Sequence, residues 1–261
     1  MTRYAFLRQP RWLALAFLVV LIVPSFFLLS RWQLSRLDQR RHYNANVTAN
    51  AQQAPVAVDG VMTPGSPPSS IGDQQMWRQV TATGHYDASR QVLVRKRPLQ
   101  GANGFWVATP LVTDSGAVLV VNRGWIAAQG GAGAVQQVPA PPVGAVTVVG
   151  RVQPSQEAPS PQPSDLPAGQ VTDLDVALVG ASADVYPGYV DLVSSDPAQA
   201  AGLTTIPLPE LDEGPHLSYA VQWVFFAVVA VTGFVLLARR ERDYGDSDDS
   251  VEPAATRTDV A

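Results

Sequence analysis

Residues 219–238 hold no charged side chain, and that run restricts what the chain can fold into more than anything else in it. About 20 apolar residues, rising roughly 1.5 Å each, cover the roughly 30 Å hydrocarbon core of a bilayer. In lipid only a helix satisfies the backbone of such a segment, so HLSYAVQWVFFAVVAVTGFVLLARR, residues 216–240, is expected to span a membrane. On a 3.6-residue wheel His216, Tyr219, Ala220, Trp223, Ala227 and Ala230 share one face, while Val221, Phe225, Val228 and Leu236 point away. Small residues with aromatics suit helix packing, and branched apolar residues suit lipid. Ala220 and Ala227 are therefore expected against a partner helix, with His216 at the entrance to that face.

A second apolar run covers residues 12–29 after Arg3, Arg8 and Arg11, broken once by Pro24. A basic start before an apolar run also describes a cleaved signal peptide. Here Arg31 and Trp32 follow in place of a small-x-small site, and Ala49-Asn50-Ala51 lies too far downstream, so the run reads as a retained anchor. Residues 1–42 form the first unit on this reading, with a span over about 12–30 and a helical extension to His42 on which Asp38 and His42 support each other. Arginines flank this helix on both sides and do not orient it. The second helix does: Glu210, Asp212 and Glu213 precede it, while Arg239, Arg240 and Arg242 follow. Both termini are thus expected in the cytoplasm and the middle of the chain on the opposite side.

Between the spans the texture changes twice. Residues 43–76 are rich in Ala, Pro, Ser and Gly and read as a linker. Residues 77–213 carry short runs of Val, Thr, Tyr and Trp separated by turn residues, the pattern of antiparallel sheet. Strands are expected over 77–86, 91–97, 105–112, 117–126, 145–152 and 186–192, with Asp114-Ser115-Gly116 closing a hairpin. In VLVVNRGWI the first half is continuously apolar and is expected to be buried on both faces. Residues 129–143 and 153–170 read as Pro/Gly-rich loops, and 172–178 as a short helix capped by Thr172 or Asp173. The second span is assigned to 214–240, and 241–261 reads as an acidic, disordered cytoplasmic tail. The fold class is a membrane protein in which two transmembrane helices flank a mainly antiparallel β (α+β) extracytoplasmic domain.

Composition removes several functions. The chain has no cysteine, so it has no disulfide, thiolate nucleophile or CxxC site, and three methionines are too few for a soft copper site. Its arginines cluster at membrane boundaries rather than along a soluble face, which argues against nucleic acid. The histidines 42, 85 and 216 lack metal-ligand spacing, and no nucleophile elbow, P-loop or dinucleotide fingerprint occurs. An enzyme is not expected. His216 has two readings: an interfacial side chain that caps its helix or bonds the neighbouring domain, or a neutral imidazole offered to a haem iron. Arg31 and Arg36 read as anchors on lipid phosphates or as partners for acidic groups such as haem propionates, and Trp32 and Trp223 as interfacial belt residues. On the sheet, Arg95, Arg97, Arg123 and Trp125 suit internal stacking and pairing, or a docking surface.

Three segments in order carry a resemblance. RWQLSRLDQRR at 31–41, the stretch from Val80 to Trp125 with VLVRKRP and VVNRGWI, and HLSYAVQWVFFA at 216–227 together resemble the Surfeit-locus family of cytochrome c oxidase assembly factors, over about residues 12–240. The resemblance implies a non-catalytic role in maturing an aa3-type oxidase, assisting haem a insertion or stabilising the catalytic subunit. It implies contact with that subunit, haem a synthase or the respiratory supercomplex. On the matching positions it implies that His216 touches haem a, with Trp32, Arg36, Tyr219 and Trp223 around it, and that Gln33, Arg123, Trp125, Ala220 and Ala227 face partners. The loops and acidic tail have no counterpart in the family pattern and, with the Ala, Val and Arg usage, suggest a bacterial plasma-membrane version. Two alternatives stay open: a permanent accessory subunit of the oxidase that never handles haem, and a generic anchored sensor or envelope domain.

Overall fold

The computed structural model describes residues 5–130 and 134–248, and it divides into two compact units, residues 1–42 with 212–261 and residues 43–211. The first unit holds the long apolar helix α3 (His216–Asp248) and α1 (Pro10–Ala51) as far as residue 42, and the second holds the last turns of α1 and a β-rich domain. The most apolar 18-residue windows of α1 and α3 have mean hydropathies of 2.7 and 2.3 and are 6% and 11% buried, so their apolar surface faces outward. This is the architecture of a two-span membrane protein with a domain between the spans.

Helix α1 runs unbroken through Pro24. Proline has no N–H to offer the preceding turn, and one residue on the Ser25 hydroxyl donates to the Leu21 carbonyl at 2.9 Å. The helix also passes His42, where the sequence ended it, and continues to Ala51. The reason lies in the second unit: Val47 is fully buried, the Asn50 amide donates to the carbonyls of Asp73 (3.0 Å) and Met76 (2.9 Å), and Gln79 donates to Ala51 O at 2.6 Å. Residues 43–76 are correspondingly no plain linker. They hold those last helical turns, a two-residue strand β1 (Val56–Ala57) and short 3-10 turns.

The remaining strands are β2 (Gln79–Tyr86), β3 (Val92–Val94), β4 (Gly104–Thr113), β5 (Val118–Ala127), β6 (Val146–Pro154), β7 (Gln170–Val171) and β8 (Val185–Asp196). They form one sheet in the order β1-β2-β6-β8-β5-β4-β3-β7. Pairing of β2 with β4, through Gly84↔Thr113, His85↔Val112 and Tyr86↔Leu111, bends it into a ring. Most pairs are antiparallel, while β5–β8, β1–β2 and β3–β7 are parallel. The expected hairpin is β4–β5, closed at Gly116 with φ 87°, a backbone region open to glycine.

Alternation shows how the ring is filled. On β6 one face is enclosed through Val146, Val148 and Val152, while the other is half-buried and closes only at Gln153. On β5 both are enclosed: Leu119 and Val121 join the main core with Leu111, Val190 and Leu192, while Val120 joins Val94, Tyr189 and the residues of α2 (Val176–Gly180). Each such aliphatic side chain contributes about 1.5–3 kcal/mol on burial. Burial continues past the apolar half of β5 through Asn122 and Arg123 to Ile126, further than its composition indicated. Helix α2 starts later than expected and is capped by Asp175, which accepts from Ala177 N (2.9 Å) and Leu178 N (3.4 Å), rather than by Thr172 or Asp173. Strand β3 is shorter than expected and β8 is longer. Helix α3 runs on to Asp248, into the stretch read as disordered tail, and the rest of that tail lies outside the described residues.

Candidate functional site

Within the first unit α1 and α3 lie antiparallel along a narrow seam. On α1 the less exposed positions recur at helical spacing, from Trp12 through Phe26, Ser30 and Gln33 to Leu37; on α3 they are His216, Ala220, Trp223, Ala227, Ala230 and Ala238. Ala220 and Ala227 are 3% and 2% exposed, so the small residues do form the close-approach face. Aromatic rings fill the rest. Phe26 stacks on Trp223 (centroids 5.6 Å apart), and Trp12 meets Phe234 edge-on at 6.0 Å.

At one end of this seam His216 Nδ1 lies 2.9 Å from Gln33 Oε1. An amide oxygen only accepts, so Nδ1–H donates to it, and in the neutral ring the lone pair then falls on Nε2. Gln33 thus holds the ring and selects the tautomer that can ligate a metal or accept a proton at Nε2. One turn further along α1, Arg36 sits over the Trp32 ring at 5.6 Å and donates to Gln39 Oε1 at 3.1 Å. Beyond it Arg40 pairs with Asp212 at 3.0 Å, and Arg41 grips both oxygens of Glu213 at 2.9 Å each. At the opposite end of the seam Arg11 pairs with Glu241.

The structure brings together some of the residues named from sequence and not others. Gln33 meets His216, and Trp223 meets Phe26. Trp32 is 51% exposed and joins Arg36 outside the seam. Tyr219, placed on the packing face by the wheel, is 46% exposed because it stands at the edge of that face. Among the described residues no bond joins Asp38 to His42; the extension is instead pinned by Arg40 and Arg41. Those ion pairs went unseen because Asp212 and Glu213 entered the sequence argument only as orientation signals.

The RGW strand in the second unit works internally. Arg123 is fully buried and donates to Gln91 Oε1 (2.9 Å) and to the carbonyls of Pro139 (3.0 Å) and Ala140 (3.1 Å), with its guanidinium 5.8 Å from the Tyr86 ring. Burial lowers the Arg123 pKa and raises that of Tyr86. Gly124, at φ 141°, lets a passing segment come close: a Cβ there would stand 2.7 Å from Thr204 O. Trp125 exchanges backbone hydrogen bonds with Thr204 (2.8 and 2.9 Å), and its indole N–H donates to Arg97 O at 2.6 Å. Trp125 is 9% exposed, so neither it nor Arg123 offers a partner a surface; each binds the domain's own loops. Beside them Asp191 accepts from Asn122 at 2.7 Å, and burial pushes its carboxyl up to about 6 against the pull of Asn122 and Arg151. Among the described residues no group of three His, Asp or Glu is placed to hold a metal.

The sequence profile of the SURF1 family matches residues 20–228. A SURF1-like protein of Mycobacterium tuberculosis is 34% identical over 246 residues, covering 92% of this chain and 88% of that protein. A SURF1-like protein of Dictyostelium discoideum is 27% identical over 103 residues, 39% of this chain and 38% of that one. The cytochrome oxidase assembly protein SHY1 of Saccharomyces cerevisiae is 25% identical over 115 residues, 44% of this chain and 28% of that one.

Proposed function

The chain belongs to the SURF1 family, and on that footing we propose that it is a non-enzymatic assembly factor for an aa3-type cytochrome c oxidase in a bacterial plasma membrane. It helps haem a reach the catalytic subunit, or holds that subunit during maturation, and its partners are the subunit itself and haem a synthase. The yeast relative, named as a cytochrome oxidase assembly protein, supports the process. Arg239, Arg240 and Arg242, which follow the charge-free run within α3, and the carboxylates Glu210, Asp212 and Glu213 before the helix support a topology with both termini in the cytoplasm and the β domain outside.

The observation that carries the haem role is the Gln33–His216 pair. It holds one imidazole at the end of two membrane helices by Nδ1, and Nε2 has no hydrogen-bond partner among the described residues. A haem carried there as cargo fits that donor as one axial ligand. Arg36, whose side-chain acceptor is the neutral Gln39, would take a propionate, and the exposed face of Trp32 would lie against the macrocycle. One imidazole makes one ligand, so any second ligand comes from the partner that delivers or receives the haem.

In cells holding a variant as the sole copy, His216→Ala should lower haem a per oxidase catalytic subunit, read from membrane spectra, while the protein remains inserted. Gln33→Leu should act in the same direction with a smaller effect. Equal haem a content in parent and His216→Ala removes the cofactor role. A reporter fused after Arg242 should report from the cytoplasm, and a periplasmic signal would overturn the topology. One observation favours the accessory-subunit reading: Arg40 and Arg41 are already engaged by Asp212 and Glu213, which leaves less charge for propionates. Stoichiometric retention on mature oxidase, with haem content unchanged by His216→Ala, is the result specific to it.

A further inference from the structure

Residues 43–211 carry twelve carboxylates against seven cations, so the β domain is acidic. Three of the seven are consecutive, Arg95-Lys96-Arg97, and Lys96 is the only lysine in the chain. The backbone there is unusual as well. Strand β3 ends at Val94; Arg95 N then donates to Val171 O at 3.0 Å on the β7 side, and Arg97 N to Gly104 O at 3.1 Å on the β4 side. Lys96 turns between them with φ 56°, a left-handed conformation that a side chain with a Cβ rarely adopts and that tends to persist where function requires it.

The three cations are not equivalent. Arg97 is committed: it lies 4.5 Å over the Trp106 ring, donates to Gln156 Oε1 at 2.6 Å and pairs with Asp173 at 3.4 Å. Arg95 and Lys96 have no hydrogen bond or ion pair from their side chains among the described residues. Instead both line two neighbouring clefts, one of about 480 Å³ and one of about 510 Å³. The second is lined, among the described residues, by no acidic group; Pro98, Asn103, Phe105 and Gln136 complete its wall. Both volumes fall in the range of ligand sites, and Lys96 is common to the two.

We propose that the Arg95–Lys96 turn is a docking site for an acidic segment of a partner protein, whose carboxylates pair with Arg95 and Lys96 while its apolar side chains enter the cleft beside Phe105. Charge complementarity favours this occupant. Two unspent cations on an otherwise acidic domain attract an extended carboxylate-bearing chain locally and repel anything broadly acidic elsewhere. Cation pairs flanked by Pro98 and Phe105 give the mixed polar and apolar surface that a peptide needs. The site rests on the β domain alone and does not depend on the haem reading of His216.

The test uses the full chain in detergent micelles and a fluorescein-labelled hexaglutamate peptide, followed by anisotropy at low ionic strength. The parent should bind, and the Arg95→Gln/Lys96→Gln double variant should bind at least about tenfold more weakly, as expected when two charge-assisted bonds are removed. Arg239→Gln, which removes a cation from the other unit, should bind as the parent does. As a second readout, the peptide should slow acetylation of the Lys96 amine by acetic anhydride, followed by mass spectrometry at the chain's only lysine. Unchanged affinity in the double variant, equal loss in Arg239→Gln, or no protection of Lys96 would each overturn the site. Protection by inorganic phosphate or by phosphatidylglycerol vesicles, but not by the peptide, would overturn the assignment of a protein partner.

Discussion

Asp191 should make the β domain less stable at neutral pH than at mildly acidic pH. The carboxylate is 4% exposed and faces Asn122 across the parallel β5–β8 ladder and Arg151 across β6–β8. Burial pushes its pKa up to about 6 from an ordinary value of 3.8, and that value already contains the opposing attraction of Asn122 and Arg151. Between about pH 4 and pH 6 the folded domain keeps a proton that the unfolded chain has released, so stability falls as pH rises through that window and levels off above it. Roughly two units at about 1.4 kcal/mol each give about 3 kcal/mol, or about 6–12 °C in Tm for a domain of this size. Asp191→Asn keeps an oxygen for Asn122 and abolishes the titration. Thermal melts of parent and variant, followed by tryptophan fluorescence in detergent, should coincide near pH 4 and diverge by pH 7, with the variant melting higher. Every other ionisable group is shared by the two proteins, so the difference isolates Asp191. Parallel pH profiles, or a variant that melts lower at pH 7, would refute the view that this carboxylate is held at a desolvation cost.

Two other substitutions probe the units separately. Gly124→Ala forces a Cβ toward Thr204 O at a φ of 141° and should cost about 1–3 kcal/mol, with the 203–204 segment becoming the first site of limited proteolysis. Ala227→Leu enlarges a 2% exposed position between α1 and α3 and should cost about 1–3 kcal/mol of helix packing, seen as weaker cross-linking between cysteines introduced at Gln33 and His216.

The two spans were legible because a charge-free run of that length has one use, and the β4–β5 hairpin because a turn triplet separates two alternating strands. Closure of the ring was not legible. It depends on β2 meeting β4 near Tyr86 and Leu111, and no local periodicity records which strands end up side by side. The end of α1 was hidden for a different reason: NANVTAN is a poor helix former, and its last turns are held by the β domain through Val47 and Asn50 rather than by propensity. At the candidate site, periodicity found the alanine face and His216 but not which α1 residue it would meet, since Trp32, Gln33 and Arg36 are separated only by the rotation of the seam.

Arg123 marks where pattern reading fails for a chemical reason. A charged residue after an apolar run reads as the point where a strand reaches solvent, yet this guanidinium is fully buried and, among the described residues, bonds no carboxylate. Its two terminal nitrogens donate to neutral acceptors, one amide oxygen and two carbonyls of a proline-rich loop, while its buried Nε is left without a partner among the described residues. Pro139 and Pro141 flank Ala140 and supply no N–H of their own, so the loop's exposed carbonyls have few local donors to satisfy them. A forked donor from the core meets that need where a lysine, with a single charged nitrogen, would not. The Pro/Gly-rich loop and the buried arginine are therefore two halves of one structural solution, which explains how a chain can carry such a loop beside its central strand without losing the fold.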